Sequence, residues 1–246
     1  MKTWVIIKRE LLSYFTEPIA YVLTIVLVAL FGFTTFSLGV SNFFELGEAS
    51  LTSFFYWHPR IYLFLIPAIG MHLWTTERES GHIELLMTYP VSIWSYVIGK
   101  FLASWIFMGF CLGLTFPIVF AVTDLGNPDL GVIFSGYLAS FLLSGLFMAL
   151  VNLTSALAKS QTTSFIFSFV LCFILILFND PSITDYLKDW LSSSFFELTS
   201  SISVIVPFKT LSRGVIDFRS IFYFSTMIPL PIILTGLVLK SYKVGK

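Results

Sequence analysis

Six windows of this chain contain no Asp, Glu, Lys or Arg, and most of them are long. About 20 residues of α-helix cross the roughly 30 Å hydrocarbon core of a bilayer, so each window is a candidate membrane span. They are Ile19–Phe44, Ile61–Thr76, Phe101–Thr123, Leu130–Ala158, Ser160–Asn179 and Ser220–Leu239. The second is short, and we extend it towards Tyr56 and Trp57, whose side chains suit the membrane interface.

The composition agrees with a chain that lies mostly in lipid. Of its 246 residues, 57% are hydrophobic and 28 are phenylalanine, which excludes an ordinary soluble domain. We therefore predict an all-α membrane protein, with residues 1–246 forming a single polytopic domain of six transmembrane helices. The predicted spans cover about 19–40, 56–76, 96–122, 131–157, 161–179 and 220–240.

The distribution of basic residues predicts the orientation. With the N-terminus in the cytoplasm, nine of the 14 Lys and Arg residues fall on the inner side. The five on the outer side are Arg60, Lys188, Lys209, Arg213 and Arg219. Because cytoplasmic loops carry an excess of Lys and Arg, we expect an inner-membrane protein with both termini in the cytoplasm.

Two further segments are not predicted to span the membrane. Residues 1–16 place Trp4, Ile7 and Leu11 near one helical face, which predicts an N-terminal interfacial helix that ends before Pro18. The alternative is a simple extension of the first span. Residues 180–219 form an outer-face segment, in which "LTSSISVIVPFKTL" is too short to cross and suits a re-entrant or interfacial element.

The sequence lacks the common signatures of catalysis. It contains no G-x-x-x-x-G-K-[ST], no H-E-x-x-H and no G-x-S-x-G, so neither a P-loop nor the usual hydrolase motifs are present. The three histidines His58, His72 and His82 lie in different settings, and Cys111 and Cys172 are best explained as packing residues. We expect no catalytic site, metal or cofactor in this chain, and energy for any transport has to come from a partner.

Charge is concentrated between the second and third predicted spans. Glu77, Arg78, Glu79 and Glu84 fall within eight positions, and Thr76 to Glu79 has the spacing of a capping box. Gly81 permits a sharp turn, and Pro90 ends the short helix that we predict over about 81–89. Such a cytoplasmic helix suits a partner that pushes on it, and the alternative is an ordinary charged loop. Beyond it, we expect Lys100 to reach towards lipid headgroups.

This segment resembles a motif of type-2 ABC exporter permeases. "ERESGHIELLMTYPVSIWSYVIGK" is similar to the family's E-R-x-x-G-T-x-E-x-L-L-x-x-P-V-S…G-K, with His82 in place of the usual Thr. The matched positions are Glu77, Arg78, Gly81, Glu84, Leu85, Leu86, Pro90, Val91, Ser92, Gly99 and Lys100. "KRELLSYFTEPIAYV" and "SRGVIDFRSIFYF" resemble the family's N-terminal helix and its entry to the last span.

The resemblance implies a partner and a set of coupling residues. In that family the short helix after the glycine docks on a separate ATPase subunit, which binds ATP and Mg²⁺ and drives transport. The implied coupling residues are Glu77, Arg78, Gly81, His82, Glu84, Leu85, Leu86 and Pro90. The chain looks most like permeases of gliding-motility-type ABC systems, and a similar branch serves nitrous-oxide reductase maturation. A second permease copy, identical or homologous, and an auxiliary outer-face protein are the further implied partners.

Three hypotheses of function follow. The first is the permease subunit of an ABC exporter. The second is an ABC-powered mechanical or regulatory subunit that acts on an outer-face protein without moving a solute. The third, an intramembrane enzyme, is disfavoured, because polar residues such as Ser135, Ser140 and Ser144 are typical of helix packing. No nucleic-acid partner is indicated by a net charge of zero.

Overall fold

A computed structural model describes residues 2–36, 50–82, 91–177 and 203–244, and every regular element in these ranges is an α-helix. In chain order the helices are α1 (Lys2–Thr16), α2 (Pro18–Phe36), α3 (Thr52–Gly70), α4 (His72–Glu79), α5 (Ile93–Gly113), α6 (Phe116–Leu125), α7 (Leu130–Leu157), α8 (Gln161–Leu177), α9 (Ile205–Ser212), α10 (Phe218–Met227) and α11 (Pro229–Val244). The all-helical prediction is confirmed for the described part of the chain.

Four stretches are long and apolar enough to cross a membrane. They are Pro18–Phe36, Ile93–Leu125, Leu130–Leu157 and Phe218–Ser241, and they correspond to the first, third, fourth and sixth predicted spans. The helix of the second predicted span, α3, carries His58 and Arg60 in its first half, which lowers its hydropathy. The fifth corresponds to α8, which has 17 described residues. The plan of six spans therefore remains a prediction.

Helix α7 lies at the centre of the bundle. It is 28 residues long, and α3, α5, α8, α9 and α11 pack around it. Its first turn is capped by Asp129, whose carboxylate accepts hydrogen bonds from the backbone N–H groups of Gly131 and Val132. By contrast, α2 leaves most of its apolar side chains exposed, among them Ile25 and Phe33, as expected for a helix that faces lipid or a second protein.

The N-terminal helix packs mainly along α5 instead of continuing the line of α2. Its chain breaks at Glu17, just before Pro18 begins α2, as the sequence predicted. Ile6 and Tyr14 are buried, and Ile6 lies so close to Gly99 that a β-carbon there would come within 2.7 Å of Ile6 Cγ2. The exposed face of α1 carries Trp4, Val5 and Leu12, which suits contact with lipid at the membrane interface. That location of α1 remains a prediction.

Buried hydroxyl groups in the long helices mostly bond to their own backbone. Ser140 donates to the carbonyl of Gly136 and Ser144 to that of Phe141, as Ser135 does to Val132. This satisfies each hydroxyl within one helix, at little cost to packing. Polar contacts between helices at this depth are few and include Thr24 with Cys111, Thr115 with Tyr137, and the Trp105 indole with a carbonyl of α7.

Parts of five helices meet at one end of the bundle, which we call the α4 end. They are α1, the C-terminus of α4, the first half of α5, the C-terminus of α7 and the N-terminus of α8. At the opposite end, α7 begins beside the turn between α9 and α10, where Gly214 contacts Val132. Charged side chains hold the α4 end together, and they include Glu77 and Arg78, which the sequence assigned to a coupling site.

Candidate coupling site

The chain makes a turn just after α4. Helix α4 ends at Glu79, and Gly81 adopts a left-handed conformation with φ of +71°, which residues with a side chain rarely adopt. The backbone N–H of Gly81 donates to the carbonyl of Arg78 at 3.2 Å, which closes the turn. The turn that the sequence predicted at Gly81 is confirmed. His82 follows as an exposed residue, whose Nδ1 lies 3.1 Å from the Ser80 hydroxyl.

Half of the predicted coupling residues are described and half are not. Glu77, Arg78, Gly81 and His82 are placed, whereas Glu84, Leu85, Leu86 and Pro90, with the helix predicted over about 81–89, lie outside the described residues beyond position 82. Docking on an ATPase subunit therefore stays a prediction for all eight. What the structure does give is the set of intramolecular contacts made by Glu77 and Arg78.

Glu77 faces a buried lysine. Its Oε1 atom lies 2.9 Å from Nζ of Lys100, whose side chain is only 4% exposed. The same ammonium lies 3.4 Å from Oε2 of Glu10 in α1 and donates to the carbonyl of Leu73 at 2.6 Å. Lys100 thus joins α1, α4 and α5. The expectation that it reaches lipid headgroups is wrong, because two carboxylates and a carbonyl satisfy the ammonium inside the protein.

The two carboxylates of this cluster respond differently to their surroundings. Burial raises the pKa of Glu10, but Lys100 and Arg9 together outweigh burial and hold that pKa below its ordinary value of 4.5. Burial also raises the pKa of Glu77, and there it prevails over the attraction of Lys100. Glu77 is the closer carboxylate, but Glu10 has Arg9 as a second cation. The other carboxylate oxygen of Glu77, Oε2, is buried and has no hydrogen-bond donor among the described residues.

Arg78 caps the C-terminus of α7. Its Nη1 donates to the carbonyls of Leu157 at 3.1 Å and Ala158 at 2.8 Å, and its Nη2 donates to that of Ala156 at 3.0 Å. The last carbonyls of a helix have no partner within the helix and carry partial negative charge. A guanidinium, with several donors in a fixed plane, satisfies three of them at once.

The next residue, Glu79, makes the complementary contact with α8. Its Oε1 accepts a hydrogen bond from the backbone N–H of Gln161 at 3.3 Å, at the partially positive N-terminus of that helix. The Gln161 side chain lies 3.4 Å from the hydroxyl of Thr76. The predicted capping box of Thr76 and Glu79 is wrong, because Thr76 lies inside α4 and the Glu79 carboxylate caps a different helix.

Trp74 attaches the start of α4 to α7. Its indole N–H donates to Oδ1 of Asn152 at 2.6 Å, and its backbone N–H donates to the hydroxyl of Ser155 at 2.9 Å. That backbone group lies in the first turn of α4, where N–H groups lack a partner within the helix. The Lys100 ammonium lies 5.1 Å from the Trp74 ring centroid, a cation–π distance. Helix α4 is therefore hydrogen-bonded to neighbouring helices from its first turn to its last.

Comparison with known families identifies the family of this chain. Residues 58–239 match the model of the ABC-2 family transporter proteins, a range that covers about three quarters of the chain. The chain belongs to the ABC-2 transporter family. A search of curated proteins gave no match. The matched range contains α4, Gly81 and Lys100 but excludes α1 and α2, so the resemblance of the N-terminal helix stays a prediction.

Family membership defines the general class of the chain. An ABC-2 permease is a multi-pass membrane subunit without a nucleotide site of its own, and the family pairs with ABC ATPase subunits. No group of three or more His, Cys, Asp or Glu side chains is arranged to hold a metal within the described ranges. His72 instead lies 3.9 Å from Glu17 and packs edge-on against Tyr14.

Sequence reasoning missed Glu10, Lys100 and Glu79 as partners within the fold. The available signal was the presence of these three charged residues in a chain that carries few charges. Their partners lie 23 to 90 positions away along the chain, and no local pattern identifies them.

Proposed function

We propose that this ABC-2 permease is the transmembrane subunit of an exporter in the cytoplasmic (inner) membrane. A separate subunit hydrolyses ATP and acts through the helix predicted over about 81–89, between the second and third spans. Two permease copies, identical or homologous, pair and receive two ATPase subunits, where ATP and Mg²⁺ bind. The observation that carries the proposal is α4, which is bonded directly to α5, α7 and α8, and through Lys100 to α1, immediately before the turn at Gly81.

The meeting of helix ends supports six spans with both termini in the cytoplasm. If α2, α5 and α8 run outward and α3–α4, α7 and α10–α11 run inward, then α4 and α7 finish on the side where α5 and α8 begin. The contacts of Arg78, Glu79 and Lys100 join those four ends. Exposed cations lie there as well, and they include Lys8 and Lys159.

Co-purification with the ATPase subunit tests the proposal. The full chain, isolated from its native membrane, is expected to retain an ABC ATPase and to stimulate its ATP hydrolysis in proteoliposomes. Leu85→Asp together with Leu86→Asp is expected to abolish both effects, because a docking helix loses its apolar face. The matched control is Leu125→Asp, an exposed leucine at the opposite end of the bundle. Normal ATPase binding by the Leu85/Leu86 variant would refute the docking assignment.

A second candidate function is a mechanical or regulatory subunit that acts on an extracytoplasmic partner without moving a solute. It is favoured by the buried hydroxyls, most of which bond to their own helices and offer little to a polar solute. On the opposite end, Lys209, Arg213 and Arg219 are exposed beside the apolar residues Ile216 and Phe218. Such a surface fits an acidic protein, and the resemblance to gliding-motility-type permeases implies an auxiliary protein at the outer face.

Cross-linking separates the two candidates. A photoreactive residue at position 216 is expected to capture a partner protein in native membranes if the second candidate is correct, and the same residue at position 30, on the exposed face of α2, serves as the control. A solute that stimulates ATP hydrolysis by the purified complex and is transported in proteoliposomes, with no protein captured at 216, supports the exporter.

A further inference from the structure

Glu77, Arg78 and Glu79 are consecutive, yet each contacts a different helix. Successive side chains on an α-helix point about 100° apart, so three in a row face three directions. Glu77 contacts Lys100 of α5, Arg78 binds the last carbonyls of α7, and Glu79 accepts from the first N–H group of α8. One turn of α4 is therefore in contact with three neighbouring helices at once.

The sign of each charge matches the helix end that it contacts. The cation Arg78 meets the partially negative C-terminus of α7, and the anion Glu79 meets the partially positive N-terminus of α8. Exchanging the two residues would place each charge against a helix end of the same sign. This pairing distinguishes both residues from general surface charges, which would tolerate the exchange.

The structure that Arg78 and Glu79 hold is the turn between the central helix and α8. Only residues 158–160 separate the two helices, and Ser160 Oγ accepts a hydrogen bond from the N–H of Thr163 in the first turn of α8. Ala158 is buried, whereas Lys159 is exposed. Because α7 packs against seven other helices, a displacement of this turn moves the core of the bundle.

We propose that Arg78 and Glu79 are positioning residues that carry the ATP-driven displacement of the coupling helix to the turn between α7 and α8. This route runs in parallel with the contacts of Lys100, which carry the same displacement to α5 and α1. The inference rests on the proposed function, since it needs an ATPase that moves the segment beyond Gly81. It adds the turn between α7 and α8 as a second destination for that movement, beyond the two spans that the coupling helix directly connects.

Distances measured within the intact complex test this route. Nitroxide labels are placed on pairs that share a reference at the opposite end of the bundle: Ser80→Cys, Lys159→Cys or Lys8→Cys, each combined with Asp124→Cys. All four positions are exposed, and the native Cys111 and Cys172 are buried. Labelled chain, diluted with unlabelled chain and assembled with its ATPase, is compared before and after trapping with Mg²⁺-ATP and vanadate.

In the unmodified background we expect trapping to change all three distances. Combining Arg78→Gln with Glu79→Gln is expected to remove most of the change at position 159 and to preserve those at positions 80 and 8. Position 8 is an internal control, because Lys100 connects α1 to α4 independently of Arg78. A merely structural defect would alter the three distances before trapping as well.

The possible outcomes distinguish the two proposals. If position 80 does not move in the unmodified complex, the proposed function is overturned. If position 80 moves and position 159 moves equally with and without the substitutions, the route through Arg78 and Glu79 is overturned and the proposed function stands. Arg78→Lys keeps the charge with a less suitable donor geometry and provides a milder variant. It is expected to give an intermediate change at position 159, and an undiminished change would count against the route.

Discussion

The ammonium group of Lys100 is almost completely buried and lies 2.9 Å from the carboxylate of Glu77, in a chain whose long helices otherwise carry almost no charge. Removing one member of a buried ion pair leaves its partner uncompensated, which costs about 3–5 kcal/mol. We expect Lys100→Met to lower the midpoint of thermal unfolding in detergent. Adding Glu10→Gln and Glu77→Gln to it is expected to restore much of the loss. If the triple variant is as unstable as the single one, the ion pairs are not the cause.

The pH dependence of stability is expected to separate Glu10 from Glu77. The pKa of Glu10 is lowered in the folded state, so its contribution is present above pH 4.5 and is lost as the pH falls through the lowered pKa. The pKa of Glu77 is raised, so its contribution is present below pH 4.5 and is lost as the pH rises through the raised pKa.

Unfolding midpoints of two variants across this range test the separation. Glu10→Gln is expected to remove part of the destabilisation seen in acid, and Glu77→Gln part of that seen on raising the pH above 4.5. At pH 7 the Glu10→Gln variant should be the less stable of the two. The opposite order at pH 7 would contradict the assignment of the two carboxylates.

Gly81 is expected to be needed for its backbone conformation and not for space. Apart from its chain neighbours, no atom of the described residues lies within 4 Å of a β-carbon built there, but its φ of +71° costs a residue with a side chain about 1–2 kcal/mol. We expect Gly81→Ala to weaken ATPase stimulation, because the coupling segment leaves α4 at a different angle. Gly113→Ala is the control, since that position also has open space and no positive φ is recorded for it. Equal effects of the two changes would argue against this role.

Gly99 is expected to be needed for space. A β-carbon there would come within 2.7 Å of Ile6, and overpacking of this kind costs about 1–3 kcal/mol. We expect Gly99→Ala to loosen α1 from α5 and to increase tryptic cleavage after the exposed residues Lys8 and Arg9. Adding Ile6→Ala is expected to relieve the clash and restore protection. Gly32→Ala, in open space on α2, should leave cleavage unchanged.

The sequence was sufficient to predict those features of the fold that depend on residues close together along the chain. Charge-free windows predicted the long apolar helices, Pro18 predicted the break after α1, and Gly81 predicted a turn that has a left-handed residue at its centre. It was insufficient for Lys100, because a lysine near the end of an apolar run has the same pattern whether it reaches headgroups or a buried carboxylate. The spacing of Thr76 and Glu79 likewise could not show that α4 had already begun.

The hydrogen bonds that cross between helices have a mechanical consequence. Among the described residues, most of these hydrogen bonds lie at the α4 end and are donated by Trp74, Arg78, Lys100 and Gln161. The deeper hydroxyl groups mostly donate to backbone carbonyls of their own helices. A bundle held in this way is stiff at the α4 end, whereas the helices contact one another mainly through apolar surfaces along the rest of their length. A small rotation at the stiff end can therefore splay the far ends of the helices by sliding apolar surfaces, with few hydrogen bonds to break. The α4 end would then act as the pivot of this movement.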